Sequence, residues 1–180
     1  MALTALVPLA DVDEGAVEAL LDRAFGADRR ARTAYRIRVG VAPIPDLSFA
    51  ALDDDGNLVG TIQCWPIAFT ADDGRQVPMV MVGPVAVEPA LQRGGIGRVL
   101  MERTLEAASV SRIAGVEALM LIGDPEYYGR FFGFTADRTG RWRLPGPYEP
   151  RRLLARGPAV PDTAGSLGSR VLTSAQVSAA

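Results

Sequence analysis

The chain has 180 residues, of which 48% are hydrophobic and 22% are charged, and this composition predicts one folded domain. It contains no histidine, and all 19 basic residues are arginines, which excludes Ser-His-Asp and Cys-His nucleophilic systems, histidine-containing zinc sites and lysine Schiff bases. A net charge of -2 with a pI near 5.2 argues against a nucleic-acid-binding surface and favours a small neutral or cationic partner.

Two further features bear on where the protein works. Its single cysteine, Cys64, has no second cysteine to pair with, which agrees with a reducing compartment. No stretch reaches the roughly 18 uncharged apolar residues of a membrane helix, and the first residues lack the basic start of a secretory signal. We therefore expect a cytoplasmic protein without a membrane partner.

The first part of the chain carries a strand pattern and then two helix patterns. Leu3–Pro8 is a short apolar run that predicts a strand. Asp11 stands before apolar residues at helical spacing between Ala16 and Phe25, which predicts a helix. A second, arginine-rich helix is predicted over about Arg29–Arg38.

Three strands in an antiparallel meander are predicted next, over Ser48–Leu52, Leu58–Phe69 and Gln76–Val87. Asp-Gly pairs lie between them, because glycine adopts the positive φ of a tight turn at low cost. The acidic triplet Asp53–Asp55 has the residue type of a metal site, but an ordinary Asp-rich hairpin turn is the favoured interpretation. No metal is expected.

The pattern then changes to a helical crossover. An amphipathic helix is predicted from Ile96 to Ala108, with Gly115 closing it, and the apolar run Val116–Ile122 predicts a buried parallel strand. A short helix is predicted next, over about Pro125–Phe131, followed by two strands around Thr135 and over Arg141–Leu144. From Gly157 onward the chain is rich in Pro, Gly, Ala and Ser, which predicts a flexible tail or a loosely docked segment.

The glycine-rich loop Gln92–Gly97 lies between a predicted strand and the amphipathic helix. At this place a phosphate would meet unpaired backbone N–H groups and the positive end of the helix dipole, while Arg93 and Arg98 add charge. A plain tight turn is the alternative. A dinucleotide-binding loop is excluded, because the third glycine of its motif is missing and three strands precede the strand that leads into the loop.

Two motifs, one ending in the glycine-rich loop and one at the short helix, resemble those of a known family. The run Val85–Gly97 is similar to the acyl-CoA motif of the GNAT acetyltransferases, a hydrophobic strand followed by Q/R-x-x-G-x-G/A, and Gly123–Phe134 resembles that family's second landmark, a tyrosine on a short helix closing with Gly-Phe. Within the second motif, the sequence Gly-Asp-Pro-x-Tyr-Tyr resembles the YhbS-like branch of this family. The resemblance covers about Leu3–Ala155.

The resemblance implies an α/β (α+β) fold with a mixed, mostly antiparallel sheet of six to seven strands flanked by helices, including a splayed central strand pair. The domain would span residues 1–156 and the tail residues 157–180. Acetyl-CoA would be the acyl donor, and an amine of a small molecule or peptide would attack its thioester directly. The oligomeric state stays open, with a homodimer among the alternatives.

The resemblance also implies roles for individual residues. The main chain of Val85, Ala86 and Val87 would pair with pantetheine, and the N–H of Val87 is a candidate oxyanion donor. The remaining residues implied in cofactor binding are Gln92, Arg93, Gly94, Gly95, Ile96, Gly97, Arg98 and Asp124.

Proton transfer would involve a tyrosine and a base. Tyr128 is preferred over Tyr127 as donor to the leaving thiolate, although it stands five residues before Gly133 where the family has four, and packing is the alternative for both. Glu88 is a weak candidate base that could instead pair with an arginine. Asp124 is another, with a helix cap as its alternative.

Two other functions stay open beside the N-acetyltransferase. A non-catalytic acyl-CoA-binding or sensing module would keep the loop but not the tyrosine. A regulatory partner or toxin that acetylates charged tRNA is less compatible with the acidic pI.

Overall fold

A computed structural model describes residues 3–173, with side chains from residue 5 onward. The described residues form two compact units. The first consists of residues up to Arg30, Pro43–Cys64 and Gly83–Ser111, and the second consists of Ala31–Ala42, Trp65–Val82 and the residues from Arg112 onward.

Residues 3–173 form eight strands and four α-helices, several of them linked by short 3-10 turns. The strands are β1 (Leu3–Pro8), β2 (Phe49–Asp53), β3 (Leu58–Ala71), β4 (Gln76–Val87), β5 (Leu119–Ile122), β6 (Trp142–Arg143), β7 (Leu153–Arg156) and β8 (Gly165–Ser169). The helices are α1 (Glu14–Phe25), α2 (Thr33–Ile37), α3 (Ile96–Val110) and α4 (Pro125–Phe132).

The strands form one mixed sheet in the order β1-β2-β3-β4-β5-β7, and β8 pairs with both β3 and β6. β1 with β2, β2 with β3, β3 with β8 and β5 with β7 are antiparallel. β4 with β5 and β6 with β8 are parallel. The predicted mixed, mostly antiparallel sheet flanked by helices is thereby confirmed, with eight strands instead of six to seven.

In the first unit, α1 begins at a side-chain cap. The Asp13 carboxylate accepts a hydrogen bond from the N–H of Ala16 at 2.9 Å, so the cap is Asp13 and not Asp11, which lies in a 3-10 turn. The apolar face of α1 then packs on the sheet, where Leu20 and Leu21 are fully buried beside Ala86 of β4. This packing fixes α1 against the strand that leads to the glycine-rich loop.

Helix α3 packs closely over the sheet of the same unit. A methyl group at Gly60 of β3 would lie 2.8 Å from Cγ2 of Ile96 and 3.1 Å from Cδ1 of Leu100, so only glycine permits this approach. The Thr104 hydroxyl donates a hydrogen bond to the Leu47 carbonyl at 3.2 Å. These contacts hold the helix whose first residues belong to the predicted phosphate loop.

The second unit has its own core around Trp142 and Phe69, whose ring centroids are 5.2 Å apart. The indole N–H of Trp142 donates to the Pro161 carbonyl at 3.2 Å, which satisfies its polar atom inside the core. Leu167 of β8 is buried in the same cluster.

Strand β8 lies within the segment predicted as a tail. Residues 165–169 pair antiparallel with residues 67–71 of β3, so this part of the predicted tail is structured. Glycine is required at its start, because a methyl group at Gly165 would lie 2.3 Å from the Phe69 ring. At Gly165, a small residue that suggested flexibility therefore serves close packing. Residues 174–180 of the predicted tail lie outside the described residues.

Three other predictions differ from the structure. The second helix is shorter than predicted, because a 3-10 turn at Arg29–Ala31 and an extended Arg32 precede α2. Residues 116–118 form a turn, and β5 is correspondingly shorter. Thr135 makes only an isolated bridge to Ala155, because β7 supplies the strand beside β5.

Neither a membrane-spanning helix nor a metal-binding cluster is found among residues 3–173. None of the helices there is long and apolar enough to cross a membrane. No group of three or more Asp, Glu, Cys or His side chains in that range could hold a metal ion. The Asp53 carboxylate instead accepts hydrogen bonds from the backbone N–H groups of Asp55 and Asn57, as in an ordinary hairpin turn.

Candidate functional site

The glycine-rich loop connects β4 to α3 within the first unit. A 3-10 turn, Pro89–Leu91, follows β4, and the N–H of Gly94 donates to the Leu91 carbonyl at 2.9 Å. Gly95 is the N-cap of α3 in the left-handed conformation, with φ 81°. The loop is exposed from Gln92 to Gly95, so its main chain is accessible to a ligand.

The first turn of α3 presents main-chain donors. The first hydrogen bond into the helix runs from the N–H of Val99 to the Gly95 carbonyl, at 3.1 Å. The N–H groups of Ile96 and Gly97 precede that donor and have no acceptor within the helix. An anion placed there would meet aligned N–H groups and the positive end of the helix dipole.

The three glycines of the loop have different roles in the structure. Only Gly95 has a positive φ, which disfavours any other residue. A methyl group at Gly94 would approach the Leu91 carbonyl oxygen to 3.1 Å. At Gly97 it would make ordinary contacts of 3.6 Å with Val85 and Val87, so the protein itself leaves room for a methyl group there.

The two arginines of the loop region differ in their surroundings. Arg98 donates from Nε to Glu102 at 2.8 Å, and both side chains are about half exposed. Arg93 is exposed, and no ion pair of its guanidinium is found in the part of the chain that the structure describes. Arg93 therefore has more of its charge available to an incoming phosphate.

Glu88, the weak candidate base, lies at the end of β4 in an ion pair with Arg23 of α1. Nε of Arg23 donates to both carboxylate oxygens, at 3.1 and 3.3 Å, and its NH2 group donates at 3.0 Å. The N–H of Glu88 donates to the Val59 carbonyl at 2.9 Å. Main chain and side chain are both fixed, which favours the structural alternative for Glu88.

The two candidate tyrosines lie on α4 in the second unit. Asp124 caps this helix by accepting the N–H of Glu126 at 3.1 Å, Pro125 occupies its first turn, and Gly133 ends it in the left-handed conformation. The rings of Tyr127 and Tyr128 meet edge to face with centroids 5.0 Å apart. The short helix thus exists as predicted, with its capping residues in the expected places.

Tyr128 and Tyr127 differ in their surroundings. Burial, followed by the charges of Tyr127 and Asp124, raises the pKa of Tyr128 to about 12, and the guanidinium of Arg152 opposes this rise. The phenol therefore keeps its proton at neutral pH. Within residues 3–173 its hydroxyl has no hydrogen-bond partner, whereas Tyr127 has a further interaction. These differences favour Tyr128 over Tyr127.

Comparison with known families and structures identifies the relatives of this chain. Residues 7–135 match the family described as "Acetyltransferase (GNAT) domain". The chain belongs to the GNAT acetyltransferase family. The GNAT N-acetyltransferase YhbS from Escherichia coli, solved with CoA, is similar at 23% identity and a TM-score of 0.70, covering 94% of this chain and 92% of that one.

A GNAT acetyltransferase from Brucella melitensis, solved with acetyl-CoA, has 22% identity and a TM-score of 0.61, covering 93% of this chain and 96% of that one. At these identities the two structures establish a shared fold. No curated protein gives a significant match.

In this GNAT protein the predicted residues are divided between the two units. The first unit brings together the end of β4, Val85–Val87, with the loop and the first turn of α3. Asp124 and both tyrosines belong to the second unit, where the β4–β5 ladder consists of Val80 with Leu119 and Met81 with Met120.

Asp124 has a structural role in this GNAT protein. Its side-chain hydrogen bond with Glu126, together with the charges of Arg151 and Arg152, holds the pKa of the Asp124 carboxyl below its usual value. A low pKa makes a weak base, because such a carboxylate releases its proton readily at neutral pH. The structure therefore has Asp124 as the cap of α4, which is the structural alternative to a role as catalytic base.

The structure also settles the surroundings of the single cysteine. Cys64 is 1% exposed, and burial raises the pKa of its thiol. A protonated, inaccessible thiol is a poor nucleophile, which agrees with direct transfer of the acyl group.

Two neighbours of the candidate residues were not assigned from the sequence. Arg23 holds Glu88 across 65 residues, a separation at which no spacing pattern points to the pair. Gly123 lies under the ring of Tyr128. Its place between an apolar strand and Asp-Pro was visible in the sequence, but the contact with the ring depends on the direction of α4.

Proposed function

We propose that this protein is an N-acetyltransferase that transfers the acetyl group of acetyl-CoA to an amine of a small molecule or peptide. The observation that carries the proposal is the loop Gln92–Gly97, whose exposed main chain leads into the N-terminus of α3 in a chain of the GNAT family. The CoA and acetyl-CoA bound to the two similar structures support the choice of donor.

Open space and positive charge in the first unit support a pyrophosphate site at the loop. A methyl group at Gly95 would meet no atom within 4 Å, so the space in front of this residue is open. The main-chain donors of Gly95, Ile96 and Gly97 would bind phosphate oxygens, and Arg93 would add a charge-assisted hydrogen bond. The main chain of Val85–Val87 would pair with the pantetheine arm.

The proposed reaction needs no covalent enzyme intermediate. The amine nitrogen attacks the thioester carbon, a C–N bond forms, and the N–H of Val87 stabilises the tetrahedral oxyanion. The C–S bond then breaks, and the CoA thiolate takes a proton from the Tyr128 hydroxyl. The nitrogen releases its surplus proton to solvent water, from which the Tyr128 oxygen regains a proton. The amine must lose a proton to become a nucleophile. Because Glu88 and Asp124 are held in structural contacts, we assign that proton to solvent water.

Calorimetry followed by a turnover assay tests the proposal. Acetyl-CoA and CoA are titrated into the protein first, and release of free CoA thiol is then followed over a panel of polyamines, amino acids, aminoglycosides and peptide N-termini. We expect binding of both ligands and amine-dependent release of thiol. Absence of binding would refute the proposal, and binding without turnover on any amine would favour the acyl-CoA-binding module instead.

A further inference from the structure

The ring of Tyr128 lies directly against Gly123, the residue that follows β5. A methyl group at Gly123 would be 2.4 Å from Cε2 and 2.6 Å from Cδ2 of that ring, and 3.0 Å from Cδ1 of Leu121. Carbon atoms in contact are normally about 3.5–4.0 Å apart, so the ring would have to move by about 1 Å. The present position of the Tyr128 ring therefore depends on the missing side chain at residue 123.

The backbone at Gly123 gives no other reason for a glycine. Gly123 is not among the glycines with positive φ, so its conformation is open to any residue. This separates Gly123 from Gly133 at the other end of α4, whose φ is 69°. Contact with neighbouring side chains is what remains, and the shortest distances are to Tyr128.

The main chain of Gly123 cannot readily move away from the ring. Its N–H donates to the Arg152 carbonyl at 2.9 Å, and its carbonyl accepts from Nε of Arg152 at 3.4 Å. Arg152 itself directly precedes β7, which pairs with β5 through Leu153 and Ile122. A side chain added at Gly123 would thus displace the tyrosine rather than the strand.

We propose that Gly123 is a positioning residue, whose lack of a side chain places the Tyr128 hydroxyl for proton donation to the leaving thiolate. The inference rests on the proposed function, in which Tyr128 is the donor. It adds a requirement at a position that touches no substrate. A shift of about 1 Å in a catalytic group is enough to lower a rate about 100-fold.

The kinetic test compares Gly123→Ala with Tyr128→Phe and with the double variant. Each single variant should lower kcat by about 100-fold, and the double variant should lose no more than either one, because both remove the same proton donation. Gly140→Ala is the matched control, since a methyl group there meets no atom within 4 Å. Wild-type kcat in Gly123→Ala, or losses that multiply in the double variant, would overturn the proposal.

A second test does not depend on activity. Gly123→Ala should lower the Tm by roughly 5 °C in the wild-type background and by much less in a Tyr128→Ala background, where the ring is absent. If Gly123→Ala does not fold alone, the double variant with Tyr128→Ala should fold. Equal destabilisation in both backgrounds, or failure of both to fold, would overturn the contact on which the proposal stands.

The two tests also separate this inference from the proposed function. A stability cycle as expected, with no acetyl transfer in the wild type, would refute the transferase and with it the positioning role. The same cycle with normal turnover in Gly123→Ala would leave the transferase intact and refute the positioning role alone.

Discussion

Substituting Gly95 with glutamate tests the phosphate loop most directly. Gly95 is the N-cap of α3, its φ is 81°, and a side chain there would extend into open space in front of the helix N-terminus. The carboxylate would occupy the region in which we place the pyrophosphate. We expect Gly95→Glu to remain folded and to lose acetyl-CoA binding.

Two free-energy terms set the magnitude of this effect. Holding a residue other than glycine at positive φ costs about 1–2 kcal/mol, which lowers the Tm of a chain of this size by roughly 5 °C. A negative charge about 4 Å from a phosphate costs about 4 kcal/mol at an effective dielectric constant of about 20. The dissociation constant for acetyl-CoA should therefore rise about 1000-fold.

A matched control separates the two terms. Gly74, in the hairpin before β4, has φ 86° and likewise meets no atom within 4 Å of an added methyl group. Gly74→Glu should show the same loss of Tm and no loss of binding. Gly95→Gln keeps the bulk without the charge, so its affinity should fall less than that of Gly95→Glu.

Calorimetric titration of acetyl-CoA at about 50 and 500 mM NaCl measures these differences. The difference in the dissociation constant for acetyl-CoA between Gly95→Glu and Gly95→Gln should become smaller at high salt, where exposed charges are screened. A folded Gly95→Glu with wild-type affinity would refute the reasoning. The reasoning would also be refuted if Gly74→Glu weakened acetyl-CoA binding as much as Gly95→Glu does. The loss of binding would then come from backbone strain or from the change in net charge.

Arg93→Gln should weaken acetyl-CoA binding by about 10-fold, whereas Arg98→Gln, already in an ion pair, should change calorimetric affinity by about twofold or less. Glu88→Gln should leave the acidic limb of the pH–rate profile unchanged; loss of that limb would restore its role as base. Tyr128→Phe should lower kcat by about 100-fold at unchanged affinity, and Tyr127→Phe should keep most of the rate. Burial raises the pKa of Tyr128 to about 12. In a pH titration followed by tyrosinate absorbance, Tyr128→Phe should therefore lack a transition near pH 12 that the wild type shows, and the transition near pH 10 should be unchanged.

Much of the fold could be predicted from local patterns. β1 and β4 have the bounds expected from their apolar runs, and α4 begins at the Asp-Pro cap and ends at Gly133. These elements are set by signals within a few residues, such as alternation, capping and positive φ. The same local signals placed the glycine-rich loop between a strand and a helix, where the structure has it.

The strands β7 and β8, which are stabilised by partners distant in the sequence, were not predicted. β8 has the composition of a linker, and it is a strand because it pairs with β3 about 100 residues earlier, where Gly165 fits beside Phe69. The short β7 offers four residues of pattern, too few to distinguish from a loop, yet it pairs with all of β5. Pairing partners across such distances leave no local periodicity.

For the candidate site, the amino-acid sequence by itself determined the residue types: a loop without side chains before a helix, two arginines, two adjacent tyrosines, and no histidine or lysine. Only the tertiary structure decided which of them are occupied by other contacts. Glu88 is held by Arg23, and the Tyr128 ring lies against Gly123 while its hydroxyl has no hydrogen-bond partner within residues 3–173. The physical reason is that ion pairing, burial and close approach depend on distances between atoms that the order of residues does not contain.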